Sequence, residues 1–201
     1  MKIAAPCVNL AIAAMAIYGA AVSYAHYGIG TLKFYTVLSN LFGALACLLV
    51  AVFQIVGKDV PEWAYGVQLS AATCLTVTFL VVLFVLAPGA GEHGYRVMFT
   101  KDDMLYHHLL CPILMLVVFI LMEHPKLPHC AAVYAMLPTL AYGVITLALN
   151  ILKKLYGPYA FLHVYEQPAI VSVGWFLVII GGSYGIAAGL RALAECCSYR
   201  I

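Results

Sequence analysis

The sequence predicts an all-α fold, a polytopic membrane bundle of six transmembrane helices. Three observations point to it. Of 201 residues, 65% are hydrophobic and only 9% are charged, against roughly 25% charged in a soluble domain. Six apolar runs each reach the ~20 residues that a helix needs to cross a bilayer. The connections between them are short. In lipid every backbone N–H and C=O must be paired within the protein, which helices do segment by segment. A single integral, multi-pass membrane domain over residues 1–201 follows, with the bilayer as its first partner.

The runs justify themselves in order. The first, 4–24, is longer than the ~7–15 apolar residues of a signal peptide and is read as a helix. The second, 34–56, opens on Lys33, Phe34, Tyr35 and Thr36. The third, 64–87, gives way to a breaker-rich loop carrying Pro88, Gly89, Gly91 and Gly94. The fourth, 104–122, is opened by Asp102 and Asp103, acidic residues that suit the positive end of a helix. Pro125 and Pro128 make a tight turn before the fifth run, 130–151. The sixth covers 168–190. Even parity puts both termini on one side, called side A here, with side B opposite.

Side A holds Lys2, Lys58, Lys126, Arg191 and Arg200, and side B holds Lys33, Arg96, Lys101, Lys153 and Lys154. This tie removes the usual charge signal for orientation. A net charge of +2, with no basic run beyond Lys153-Lys154, argues against nucleic acid. There are seven cysteines and no Cys-x-x-Cys pair, so neither a disulfide framework nor a zinc knuckle is expected. Cys7, Cys47, Cys74 and Cys111 lie in apolar runs, where Cys acts as a small hydrophobe. Cys196 and Cys197 are read as surface thiols.

The polar residues carry more information. Thr36, Ser39 and Asn40 share one face of the second helix, because residues three and four apart are neighbours. They either bond back to their own helix and glue two helices together, or they serve a site. A second cluster opens the fourth helix, with Asp103 and His107 on one face and His108 beside them. Intramembrane ionisable residues are rare and tend to be functional. Both clusters lie within about a turn of their helix starts at side B.

Joined, the clusters suggest acyl transfer to water. A Thr hydroxyl is a weak nucleophile until a base takes its proton, and His is the usual base. Asp103 could orient His107 as the carboxylate does in a Ser-His-Asp arrangement. Ser39 or Asn40 could donate to an oxyanion. Of the two histidines, His107 is the expected base, since it lies four residues after Asp103 and four before Cys111. Lys153 and Lys154, leaving the fifth helix at side B, could meet a carboxylate or a lipid headgroup, or simply snorkel. Ser70, Thr73, Thr76 and Thr78 are read as ordinary packing residues of the third helix. His26, His93, His107, His108 and His163 fall on side B, but only His107 and His108 are close in sequence. Adjacent helix residues point about 100° apart, so no metal and no other cofactor is expected.

Three short motifs occur in the same order as in a known family. Lys33-Phe-Tyr-Thr36 resembles the Lys-Phe-Leu-Thr that starts helix two in the androgen-induced and androgen-dependent membrane proteins. His107, followed five positions later by Pro112, looks like that family's His and Pro. Tyr159-Ala-Phe-Leu162 is similar to its Tyr-Pro-Phe-Leu, with Ala160 in place of Pro. Phe34 to Asn40 resembles the Phe-Thr-x-x-Ser-Asn-like signature of a bacterial six-helix family. The animal proteins are threonine hydrolases of fatty acid esters of hydroxy fatty acids. The resemblance therefore implies Thr36 as nucleophile, His107 as base, a lipid or fatty-acid ester as substrate, and Tyr159 and Phe161 at the substrate. Thr36, His107 and Phe161 are expected to line one cavity. The competing expectation is a lipid-binding or small-molecule transport protein that uses the same pocket without catalysis. No inverted repeat or paired helix break supports transport.

Overall fold

The computed structural model describes residues 4–199. It is 83% helical, with no strand among those residues. Six helices are long and apolar enough to cross a membrane. They are α1 (Ala4–Tyr27), α2 (Tyr35–Ile55), α3 (Glu62–Gly89), α4 (Asp102–Glu123), α5 (Ala131–Ile151) and α6 (Ala169–Ser198). A 3₁₀ segment, Gly28–Lys33, extends α1, and a short helix, Gly94–Thr100, occupies part of the connection between α3 and α4.

Two helix ends have plain physical causes. The sixth run stops at 190 because Arg191 follows, yet the helix continues. Arg191 donates to Glu195 one turn on at 2.8 Å and to the Leu127 carbonyl at 3.1 Å, so a charge at the helix interior is paired rather than helix-ending. At the other end of the pattern, α4 stops where His124 adopts a left-handed conformation (φ 36°). Its N–H reaches the Phe119 carbonyl at 3.0 Å, and Pro125 cannot continue the ladder.

Two π turns have a common cause. They span Val82–Leu86 and Leu105–Leu110. Pro88 and Pro112 have no N–H to offer the Phe84 and His108 carbonyls, and their rings push those turns wider. A third covers Val117–Glu123 at the end of α4.

At the centre stands α3, packed against α2, α4, α5 and α6. Its Leu69, Ala71, Ala72 and Leu75 are fully buried. Small residues at such contacts let backbones approach closely. The outer surface is apolar, with Leu45, Phe84, Ile170, Leu177 and Val178 all exposed. That suits a surface facing acyl chains and would be an aggregation hazard in water. Conversely, Asn9, Asn40, Gln68, Thr73 and His107 are buried. Polar groups in such an interior need partners, and their partners define the sites described next.

Candidate functional site

The first turns of α2 are tied to α3 and α4. Ser39 Oγ donates to the Thr36 carbonyl at 3.0 Å and bonds Thr78 Oγ1 on α3, also at 3.0 Å. Asn40 Nδ2 donates to the Thr36 carbonyl at 2.8 Å and to the His107 carbonyl on α4 at 3.1 Å. Both residues thus bond back to their own helix and glue it to another. Ser70, Thr73, Thr76 and Thr78 each donate to the carbonyl four residues earlier, as packing hydroxyls in α3 do.

The two histidines point apart. His107 is buried, with Nε2 3.0 Å from the Ala16 carbonyl of α1. A carbonyl only accepts, so Nε2 carries the proton and Nδ1 is left as a buried acceptor without a partner. The ring occupies the space over Gly19, where a Cβ would come within 2.5 Å of Nε2. His108 Nδ1 lies 2.8 Å from the Met98 carbonyl and so fastens α4 to the short helix before it. Asp103 makes no hydrogen bond to His107, because the π turn that begins at Leu105 breaks the i, i+4 register on which that pairing was read. Thr36 and His107 are linked through Asn40, which holds both of their carbonyls; no hydrogen bond joins hydroxyl to imidazole.

Thr36 instead lines a cavity of about 700 Å³, open mouth included, between α2, α3, α5, α6 and the α5–α6 loop. Val77, Val82, Leu147 and Ile180 make its walls apolar, and Tyr159 and Phe161 close its side-B end. His107, His108, Lys153 and Lys154 lie outside it. The Lys153 ammonium sits 5.0 Å from the Tyr165 ring centroid, and Lys154 is exposed. Along α6 the lining runs from Ser172 to Ile180, which at ~1.5 Å per residue is a depth of about 12 Å.

Tyr159 completes the polar end of this cavity. Phe34 gives α2 no side-chain cap, and the Tyr159 hydroxyl accepts from the Thr36 N–H at 3.4 Å in its place. Burial pushes this phenol above its ordinary range, so it is neutral at physiological pH. Gly157 lets the loop fold this tightly, since a Cβ there would lie 2.7 Å from Leu162 Cβ. The loop is pinned further by Gln167, which donates to the Phe161 carbonyl at 2.9 Å, and by His163, 3.1 Å from the Glu166 carboxylate. Phe161 packs 5.5 Å from the Trp175 ring. Compared with protein-family models, curated proteins and solved structures, the chain matches none. The chemistry of the site therefore has to come from its own geometry.

Sequence reasoning did not single out Tyr35, Tyr142, Ser172 or Trp175. Tyr35 and Tyr142 stand edge to face, 5.0 Å apart, with Tyr35 Oη 2.7 Å from Thr139 Oγ1. They separate the Thr36 cavity from a larger outer cleft of about 1080 Å³ that Lys33 lines. Tyrosines inside a span look like interface anchors in sequence, and only the packing distinguishes them. A second polar cluster, Asn9, Gln54, Gln68 and Glu123, was also passed over. Its signal was present, because all four lie near the side-A ends of their helices, at one depth.

Proposed function

We propose that this protein binds a single-chain lipid or fatty-acid ester, with the chain in the Thr36 cavity and the ester group at Thr36 and Tyr159. One observation carries this reading. The cavity walls are mainly apolar, while a hydroxyl, a neutral phenol and the first N–H groups of α2 gather at its side-B end. That arrangement suits a ligand with a long apolar body and one polar head. The positive end of α2 favours the electron-rich carbonyl oxygen.

Hydrolysis of that ester is the second reading, favoured by the presentation of the Thr36 hydroxyl at the same end and by the resemblance at Lys33–Thr36, His107 and Tyr159. Thr36 Oγ would attack the ester carbonyl and pass its proton to a base. The alcohol would leave, and water would release the acid from the acyl-threonine. For His107 to act as that base, its ring must leave the Ala16 carbonyl and turn toward α2.

The test uses purified protein in detergent and a long-chain fatty-acid ester, with binding read by thermal shift and cleavage by fatty-acid release. Gly143 lines the cavity, and the atoms nearest its missing Cβ belong to Phe176 and Ile180, the closest at 3.5 Å. Gly143→Leu should therefore abolish binding and leave the unliganded melt nearly unchanged. Undiminished binding by Gly143→Leu would refute the cavity as the site. For the second reading, Thr36→Ala should stop fatty-acid release while chain binding persists, and Thr36→Ser should retain part of it. A nucleophile removes a covalent path worth orders of magnitude in rate, so equal release by wild type and Thr36→Ala would rule out this mechanism.

A further inference from the structure

At the opposite, side-A end of the bundle, α1 to α4 each send one polar side chain to a common centre. Asn9 Nδ2 donates to Glu123 Oε1 at 2.6 Å and to Gln54 Oε1 at 3.3 Å. Gln54 Nε2 donates to the same carboxylate oxygen at 2.8 Å. Gln68 Nε2 donates to Asn9 Oδ1 at 3.2 Å. Asn9 and Gln68 are fully buried and Glu123 is 9% exposed.

Two oxygens are left over. Glu123 Oε2 and Gln68 Oε1 are both buried and without a partner. Every amide hydrogen bond described at the centre runs to another oxygen, and both orphans are acceptors. Among the described residues, no basic side chain pairs with Glu123, and Arg191 on α6 is committed to Glu195 and Leu127. The titratable groups that feel the carboxyl are Cys47 of α2 and Tyr65 of α3. His124, next in the chain, has its own unpartnered Nε2. A buried carboxyl without a countercharge is costly inside a membrane and marks a functional position.

We infer that this cage is a monovalent-cation site, taking a proton or a sodium ion between Glu123 Oε2 and Gln68 Oε1. A proton on Oε2 would be donated to Gln68 Oε1 and so satisfy both orphans at once. A sodium ion would use the same two oxygens, with carboxamide oxygens of the cage replacing its hydration shell, as rings of carbonyls do in ion filters. Either cation ties four helices through one carboxyl, so occupancy stabilises the side-A packing of α1 to α4. The cage lies in the opposite leaflet from the Thr36 cavity and does not depend on what that cavity binds.

Melting of the purified protein, measured across sodium concentration at fixed pH and ionic strength, and across pH without sodium, tests this. Wild type should be stabilised by sodium in the first series or by acid in the second. Response to sodium identifies the metal ion, and response to pH alone identifies the proton. Glu123→Gln supplies an N–H to Gln68 Oε1 and removes the charge, so it should be flat in both series. In parallel, a hydrophobic carbodiimide, which reacts with protonated carboxyls, should modify Glu123 in wild type, as read by peptide mass spectrometry. Protection by sodium again assigns the metal. A wild type flat in both series, a Glu123→Gln that responds as wild type does, or an unmodified Glu123 would each overturn the site.

Discussion

His107 is held by what Gly19 lacks. The imidazole lies where the side chain of residue 19 would be, and a Cβ there would stand 2.5 Å from Nε2 and 2.7 Å from Cδ2. A contact under 3 Å cannot survive, so Gly19→Ala must displace either the ring or α1. Overpacking of this kind costs about 1–3 kcal/mol. The same substitution beside His107→Ala meets an empty space and should cost close to nothing. The double-mutant cycle, measured by melting in detergent, should therefore give a coupling of about 1–3 kcal/mol. An equal penalty in both backgrounds would mean that Gly19 is needed for something other than the ring. His107→Ala alone leaves the Ala16 carbonyl without this partner. Any loss of activity in that variant has to be read beside its melt, since the residue joins two helices as well as standing near Thr36.

At the scale of elements, α2 is fixed to α3 and α4 by two side chains from its first turns. Asn40 serves two carbonyls, one on each side of the α2–α4 contact. Ser39 and Thr78 share a single hydroxyl contact across α2 and α3. Removing one interhelical hydroxyl bond in a membrane costs on average ~0.6 kcal/mol. Leaving a buried carbonyl unpaired costs more, about 1–3 kcal/mol, and Asn40→Ala takes this donor from the His107 carbonyl while the Thr36 carbonyl keeps Ser39 Oγ. Asn40→Ala should therefore lower the melting temperature more than Thr78→Val, and Thr78→Val should cost almost nothing extra once Ser39 is Ala. The reverse order would mean that the α2–α3 contact, and not Asn40, fixes the start of α2. The existence of this glue was legible in the sequence, because Thr36, Ser39 and Asn40 fall on one helical face. Its partners were not. The register between Asp103 and His107 assumed an unbroken α-helix, and Pro112, five residues beyond His107, widens the turn that begins between them. The consequence of a proline for the carbonyl four positions earlier is readable from sequence, but the direction in which the widened turn swings His107 depends on the space that Gly19 leaves on another helix.

For the whole molecule, hydropathy was enough for the number, order and approximate bounds of the spans, since each crosses a thickness set by the bilayer. It was not enough for the interior, where a lone Asn, Gln or Glu looks the same whether it faces lipid headgroups or three other helices. The topology itself makes a prediction that the native cysteines can test. Antiparallel threading brings Cys130, before α5, and Cys196, at the end of α6, to side A. Both are exposed. Cys47, Cys74 and Cys111 are buried within the bundle, and no residue of the side-B connections is a cysteine. In sealed vesicles of a single orientation, a membrane-impermeant maleimide should therefore modify Cys130 and Cys196 together from one side and neither from the other. The three buried thiols should react only after denaturation. Cys130→Ser and Cys196→Ser variants assign each adduct by mass. Opposite-side labelling of Cys130 and Cys196 would mean an odd number of crossings between them and would break the six-helix topology. Labelling from one side would place side A in the cell, an orientation that five basic residues on each side leave undetermined by charge.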